Sequence, residues 1–258
     1  TLGWEQFAVG LNQESREELD YLYQEWEMEP QNPEEMIRES MAPVRQAAIG
    51  PMLVGRELEE INWEPVKMDD PRLTAHPDWL KEFRDFAWSN SSSLTLHQSA
   101  RIERTEKGFQ TWIYNRTDYD ALLAMLENRG FSLPTADEWA YLCGGGCRTL
   151  FPWGDGLDYS MRLHWFEDMD EDENRPYDME EPNFFGLSIA YDPYMREVVK
   201  AEQFTTCGGD GGRSICGGLG IFLGFLPCSP HYKPEVQEDK ELNGDYDFYR
   251  PMIRVEAI

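Results

Sequence analysis

Apolar and polar positions alternate with helical spacing at the start of the chain. Between Asn12 and Ala48 two helices are expected. Leu19, Leu22, Tyr23 and Trp26 share one face at i, i+3, i+4, i+7, with charged residues elsewhere. Pro30 and Pro33 interrupt this pattern, and Pro33 suits the first turn of a second helix running through Ile37 and Met41. Such an acidic pair suits a helical layer packed on the rest of the chain; the alternative is a partner-binding arm. Short Gly- and Pro-punctuated segments follow from Gly50 to Lys67. His76–Trp88 again reads as a helix, with Trp79, Leu80, Phe83, Phe86 and Ala87 on one face. Asn90–Ser93 is a loop. Ile102, Phe109, Trp112 and Tyr114 flank a turn at Lys107-Gly108 and predict a β-hairpin. Thr117–Asn128 predicts a helix with Thr117 or Asp118 as cap, a Tyr119, Leu122, Leu123, Leu126 stripe and Gly130 near its end. After Trp139 the chain turns loop-rich and no repeat is visible. The expected division is an acidic helical region over 1–50, packed on a main domain over 51–258.

Composition narrows the class. The 258 residues suffice for a substantial core, and 13% aromatic content marks a folded protein. With 49 acidic against 23 basic residues the net charge is -26, which repels nucleic-acid phosphates and anionic membranes. Neither partner is expected. No apolar run approaches the roughly 20 residues that span a bilayer; Gly217–Pro227 has about half that length. The opening "TLGWEQFAVG" lacks the basic flank and apolar core of a signal peptide. Five cysteines, an odd and sparse set, suit a reducing cytoplasm.

Four segments carry a resemblance. "YDALLAMLENRGFSLPTADEWAYL" (Tyr119–Leu142) precedes "RTLFPWGDG" (Arg148–Gly156), then "EPNFFGLSIAYDPYMREVV" (Glu181–Val199) and the terminal "DFYRPMIRVEAI" (Asp247–Ile258). Leu133, Pro134, Thr135, Glu138, Trp139, Pro152, Trp153, Gly154, Asp155, Asn183, Phe185, Gly186, Leu187, Arg254 and Val255 match in order and approximate spacing. Over about residues 115–258 the chain resembles the formylglycine-generating-enzyme (sulfatase-modifying-factor) superfamily, as a divergent member. The resemblance implies an α+β, C-type-lectin-like fold with a small twisted antiparallel sheet, few helices and much irregular loop, here carrying extra N-terminal helices. On their own chemistry the matching residues are structural: Thr135 and Glu138 form a capping box, Trp139 and Leu142 face inward, and Trp153 packs beside a glycine turn.

Two metals enter as expectations. "FEDMDEDENRPYDMEE" places Asp168, Asp170, Asp172 and Asn174 at every second position, yet Glu173 and Met179 occupy the sixth and twelfth positions of an EF-hand loop, so it is not one. The resemblance puts a calcium loop there and retains Glu197 of a second calcium site. Formylglycine-generating enzymes hold Cu(I) between two cysteines five residues apart after a G-G-S turn, and thiolates suit that soft ion. "GGRSIC" places Cys216 at the first position, but Ile221 stands at the second, and the family's arginine-rich segment is replaced by "GIFLGFLPCSP". Cys207 is the candidate substitute partner; Cys228 lies further on. Cys143 and Cys147 form a C-x3-C without a second pair. No dinucleotide or nucleoside-triphosphate glycine motif, hydrolase elbow or paired-histidine motif exists.

Two functions are carried forward. The first is a non-catalytic module that binds a protein or small ligand through the loops around 205–230, with Arg213, Ser214, Trp153 and Asp155 as binding residues and calcium as a structural ion. The alternative is a copper-dependent oxidase acting on a protein cysteine through Cys216 and Cys207.

Overall fold

The computed structural model describes residues 1–4, 10–27, 33–157 and 182–255. The first apolar stripe folds as α1 (Gln13–Glu25), whose cap is Asn12: its side-chain oxygen accepts the Ser15 N–H at 3.0 Å. Helix α2 (Pro33–Ser40) follows. It ends eight residues short of the expected limit at Ala48, because Pro43 cannot continue a helix and Ala42 instead donates its N–H to the His231 carbonyl at 2.7 Å. Leu19, Tyr23, Ile37 and Met41 pack with Leu150, Phe151, Phe222 and Phe225, so both helices form a layer on the body of the protein.

The next section contains β1 (Met52–Val54), β2 (Glu59–Glu60), β3 (Trp63–Val66), α3 (Pro71–Thr74), α4 (Pro77–Ala87), β4 (Ser93–Leu96), β5 (Ala100–Thr105) and β6 (Gly108–Tyr114). Strands β3-β6-β5-β4 form an antiparallel sheet. The expected hairpin is β5–β6, with Thr105 opposite Gly108. Phe83 and Phe86 of α4 cover one face of this sheet, against Val66, Ile102 and Ile113.

Helix α5 (Tyr119–Asn128) is capped by Asp118, which accepts the Ala121 N–H at 2.8 Å. Helix α6 (Ala136–Gly144) begins with the expected capping box between Thr135 and Glu138 and ends at Gly145, whose φ of 58° is left-handed. Burial raises the Glu138 carboxyl pKa, but the Arg254 guanidinium and the Thr135 N–H outweigh it, leaving Glu138 below the usual carboxylate range. That pair (Arg254 Nε to Glu138 Oε1, 3.0 Å) ties the end of the chain to α6.

The remaining elements are β7 (Arg196–Val199), β8 (Thr205–Gly208), α7 (Arg213–Cys216), α8 (Gly220–Phe225), a 3-10 turn (Leu226–Cys228), β9 (Glu235–Val236), β10 (Asp247–Tyr249) and β11 (Met252–Arg254). They complete a mixed α+β architecture. Where the resemblance implies one small antiparallel sheet, the described residues form three sheets. One is the β1–β11 pair, which joins Met52–Val54 to Met252–Arg254. Another is a five-stranded sheet of order β2-β10-β7-β8-β9, in which β10 and β7 run parallel, with Phe248 opposite Glu197. A parallel pair needs a long crossover, and the chain from β8 through β9 supplies it.

At this parallel seam Arg250, 1% exposed, makes five hydrogen bonds: to the carbonyls of Gly55, Arg56 and Ser188 and to both oxygens of Glu197. This pair locks the β1–β2 connection and residues near 188 to the central sheet.

Candidate functional site

The segment "TTCGGDGGRSICGGLGIFLGF" (Thr205–Phe225) leaves the central sheet as β8, turns through glycines, and forms α7 and α8 in succession. Two glycines are required by close approach. Gly212 has φ of 79°, and a β-carbon there would lie 2.2 Å from the Tyr194 ring. Gly220 has φ of 77°, and its β-carbon would lie 2.1 Å from the Glu18 carboxylate. Buried Asp210 holds the turn through one oxygen, which accepts the Ser214 N–H at 3.0 Å and the Ser214 hydroxyl at 2.6 Å.

Helix α1 is clamped onto this segment. Glu18 accepts the N–H groups of Ile221 and Phe222 at the start of α8. Between α1, α2, Ser214 and the Leu219–Leu226 run lies a cavity of about 360 Å³. Leu19, Leu22 and Trp26 form one wall, and Leu219, Leu223 and Leu226 the opposite one. Tyr23, Ser40, Ser214 and Tyr232 are the hydroxyl-bearing residues of its lining. Burial pushes the phenols of Tyr23 and Tyr232 above their ordinary pKa, reinforced by Asp20 and Asp210 respectively, so both stay neutral donors at physiological pH.

The sequence-predicted site residues divide. Ser214 lines this cavity. Trp153 stacks on Phe151 (ring centroids 4.7 Å apart) and packs against the same core. Asp155 fastens the turn and the N-terminal segment: its oxygens accept the backbone N–H of Leu150 at 2.7 Å and of Gly10 at 3.3 Å. Arg213 is exposed and paired with Glu235 on a different surface.

The two candidate catalytic thiols have different surroundings. Cys216 is exposed, its sulfur 3.4 Å from the Tyr194 hydroxyl. Burial and that contact push the Tyr194 phenol up to about 12. Cys207 is buried in the core with Trp139 and Leu187, and burial drives its thiol well above the ordinary range. Ile221, at the position of the resembling enzymes' second cysteine, packs against the α1 core. One exposed thiol, one core thiol held protonated and an isoleucine do not fit a Cu(I) ion, which needs two converging thiolates.

Glu197, the retained residue of the expected second calcium site, faces the Arg250 guanidinium. Both its oxygens accept hydrogen bonds from the Arg250 guanidinium, and the residue is 3% exposed. Asp168, Asp170 and Asp172 lie outside the described residues. Among the described residues no group of three His, Cys, Asp or Glu side chains is arranged to hold a metal.

A further thiol–imidazole contact was not foreseen. The Cys147 sulfur lies 3.9 Å from His231 Nε2, but that nitrogen is also 3.1 Å from the Thr149 carbonyl. A carbonyl only accepts, so the geometry puts the proton on Nε2, where it cannot draw one from the thiol. Burial lowers the His231 pKa to about 4 and raises that of Cys147, so both stay neutral and the contact is structural.

Sequence reasoning also missed Glu18, Tyr194 and Tyr232. The i, i+4, i+7 spacing of Leu219, Leu223 and Leu226 was the available signal for the cavity wall.

Comparison of the chain with protein-family models, with curated proteins and with solved structures returns no match.

Proposed function

We propose that the protein is a divergent member of the formylglycine-generating-enzyme superfamily that has exchanged oxidation chemistry for binding, and that its ligand occupies the cavity between α1 and the Ser214–Leu226 run. The cavity carries this reading. It is built from the segment in which the resembling enzymes hold their catalytic cysteines, yet its walls are apolar and hydroxylic and contain no thiol.

The motif residues support this reading by their local roles. Asn183 donates to the Leu142 carbonyl at 2.6 Å and accepts the N–H groups of Phe185 and Leu187, organising the Asn-Phe-Phe-Gly-Leu turn. The β1–β11 ladder brings the ends of the main domain together, in keeping with a C-type-lectin-like plan. Five unpaired cysteines suit a reducing compartment such as the cytoplasm. Among the described residues no helix is long and apolar enough to cross a membrane. The charge of -26 disfavours nucleic-acid partners.

The test is incubation of the full chain with Cu(I), oxygen and a peptide containing Cys-x-Pro-x-Arg, followed by mass spectrometry. An unmodified peptide is expected. Formylglycine in the peptide, lost in Cys216→Ser, overturns the binding reading in favour of the oxidase.

A further inference from the structure

We infer that the cavity takes an uncharged, ring-containing small molecule, with a carbonyl, ether or hydroxyl oxygen that accepts a hydrogen bond from Tyr232. This rests on the binding reading and specifies its ligand class.

No lining side chain is ionised: leucines, a methionine, a tryptophan, two serines and two neutral tyrosines make up the wall. The nearby carboxylates lie outside the lining: Glu18 is on the α8 amides, and Asp210 holds Ser214 through Oδ2, while its Oδ1 is buried without a hydrogen-bond partner among the described residues. A charged ligand would surrender its hydration with no counter-ion in the wall to replace it, a cost that disfavours it at such a site.

The hydroxyls then orient the ligand. The Ser214 hydroxyl donates to Asp210, and that of Ser40 to the Met36 carbonyl at 3.3 Å. Among the described residues the Tyr23 hydroxyl reaches only the Met36 sulfur at 3.7 Å, a weak acceptor. The Tyr232 hydroxyl has no hydrogen-bond partner among the described residues, although its ring lines the cavity. It is the donor left for a ligand.

Size and access agree. At about 360 Å³ the cavity sits at the small end of the roughly 300–1,000 Å³ typical of ligand pockets, room for one or two fused rings. Trp26, 50% exposed, stands at its margin with Gly218 beside the indole ring.

Four probes sharing one ring system test this by equilibrium dialysis against the full chain: naphthalene, 2-acetylnaphthalene, 2-naphthoate and 2-naphthylmethylammonium. The ketone should saturate a single site, with the anion and the cation at least roughly tenfold weaker. Tyr232→Phe removes one oxygen and should weaken the ketone about three- to tenfold while leaving naphthalene unchanged. Leu223→Trp fills the cavity and should abolish binding of both. Equal or tighter binding of 2-naphthoate or the ammonium overturns the uncharged class. Equal weakening of ketone and naphthalene in Tyr232→Phe overturns the hydrogen bond. In both cases the cavity survives as a binding site. Absence of saturable binding by all four probes overturns this inference, and binding unaffected by Leu223→Trp overturns the cavity reading itself.

Discussion

Glu18 on α1 receives the backbone N–H of Phe222 on α8 through both carboxylate oxygens, at 3.2 and 3.1 Å, and that of Ile221 as well. One side chain thus satisfies the otherwise unpaired amides that begin α8 and holds the N-terminal helix against the segment that forms the cavity. Replacing it by Ala leaves those amides without an acceptor. Glu18→Ala should cost about 1–3 kcal/mol in urea unfolding and weaken cavity binding in parallel, with Glu18→Gln intermediate. Unchanged stability in both variants would show that α1 is held by its apolar face alone.

The Glu197–Arg250 pair predicts a larger effect. Both partners are at least 97% buried, at 3% and 1% exposure. Removing one charge strands the other, so Glu197→Gln should destabilise the protein by about 3–5 kcal/mol. Added calcium should not restore the loss, because the carboxylate serves a guanidinium rather than a metal ion. Recovery of the melting temperature with calcium would contradict this assignment.

His231 makes stability depend on pH. Burial, chiefly, with Arg148 and Arg45 adding to it, brings its folded-state pKa to about 4, below the roughly 6.5 of an unfolded chain. Between these values the unfolded state binds more protons, so stability falls as pH drops from 6.5 towards 4 and the loss saturates below. Its full extent is about 3 kcal/mol. In His231→Gln the difference in unfolding free energy between pH 7 and pH 5 should shrink relative to the parent. An identical pH dependence would show that folding leaves the imidazole pKa unshifted.

Thiol reactivity separates the cysteines. Cys216 is exposed, Cys147 is partly covered, and Cys143, Cys207 and Cys228 are buried. Burial holds the buried thiols protonated. Ellman's reagent should find one fast thiol in the native protein, absent in Cys216→Ser, and the rest only on unfolding. Two fast thiols, the second removed by Cys207→Ser, would revive a cysteine pair.

Local rules made much of the scaffold legible. The helical stripes, the Lys107-Gly108 hairpin turn and the Thr135–Glu138 capping box each depend on residues a few positions apart, and each forms as its spacing predicts. The Leu19–Trp26 stripe was legible as a face but not as a site: Leu19 and Tyr23 are buried, while Leu22 and Trp26 stay partly open because they line a cavity. The parallel β7–β10 pair was hidden, since its partners lie about fifty residues apart and neither strand exceeds four residues. The site depends on such distances still more. Glu18 and Phe222 are 204 positions apart, and nothing local to Glu18 marks it among the acidic residues of α1. The cysteine motif misled for the same reason: "GGRSIC" preserves a local turn, while pairing depends on where Cys207 and Ile221 point, and both point into the core.

Equilibrium dialysis of 2-acetylnaphthalene against the parent chain and Leu223→Trp bears most directly on the cavity as the binding site. Saturable one-to-one binding by the parent, lost in a variant that still melts cooperatively, is the result predicted here. Binding of equal strength in both proteins would contradict it.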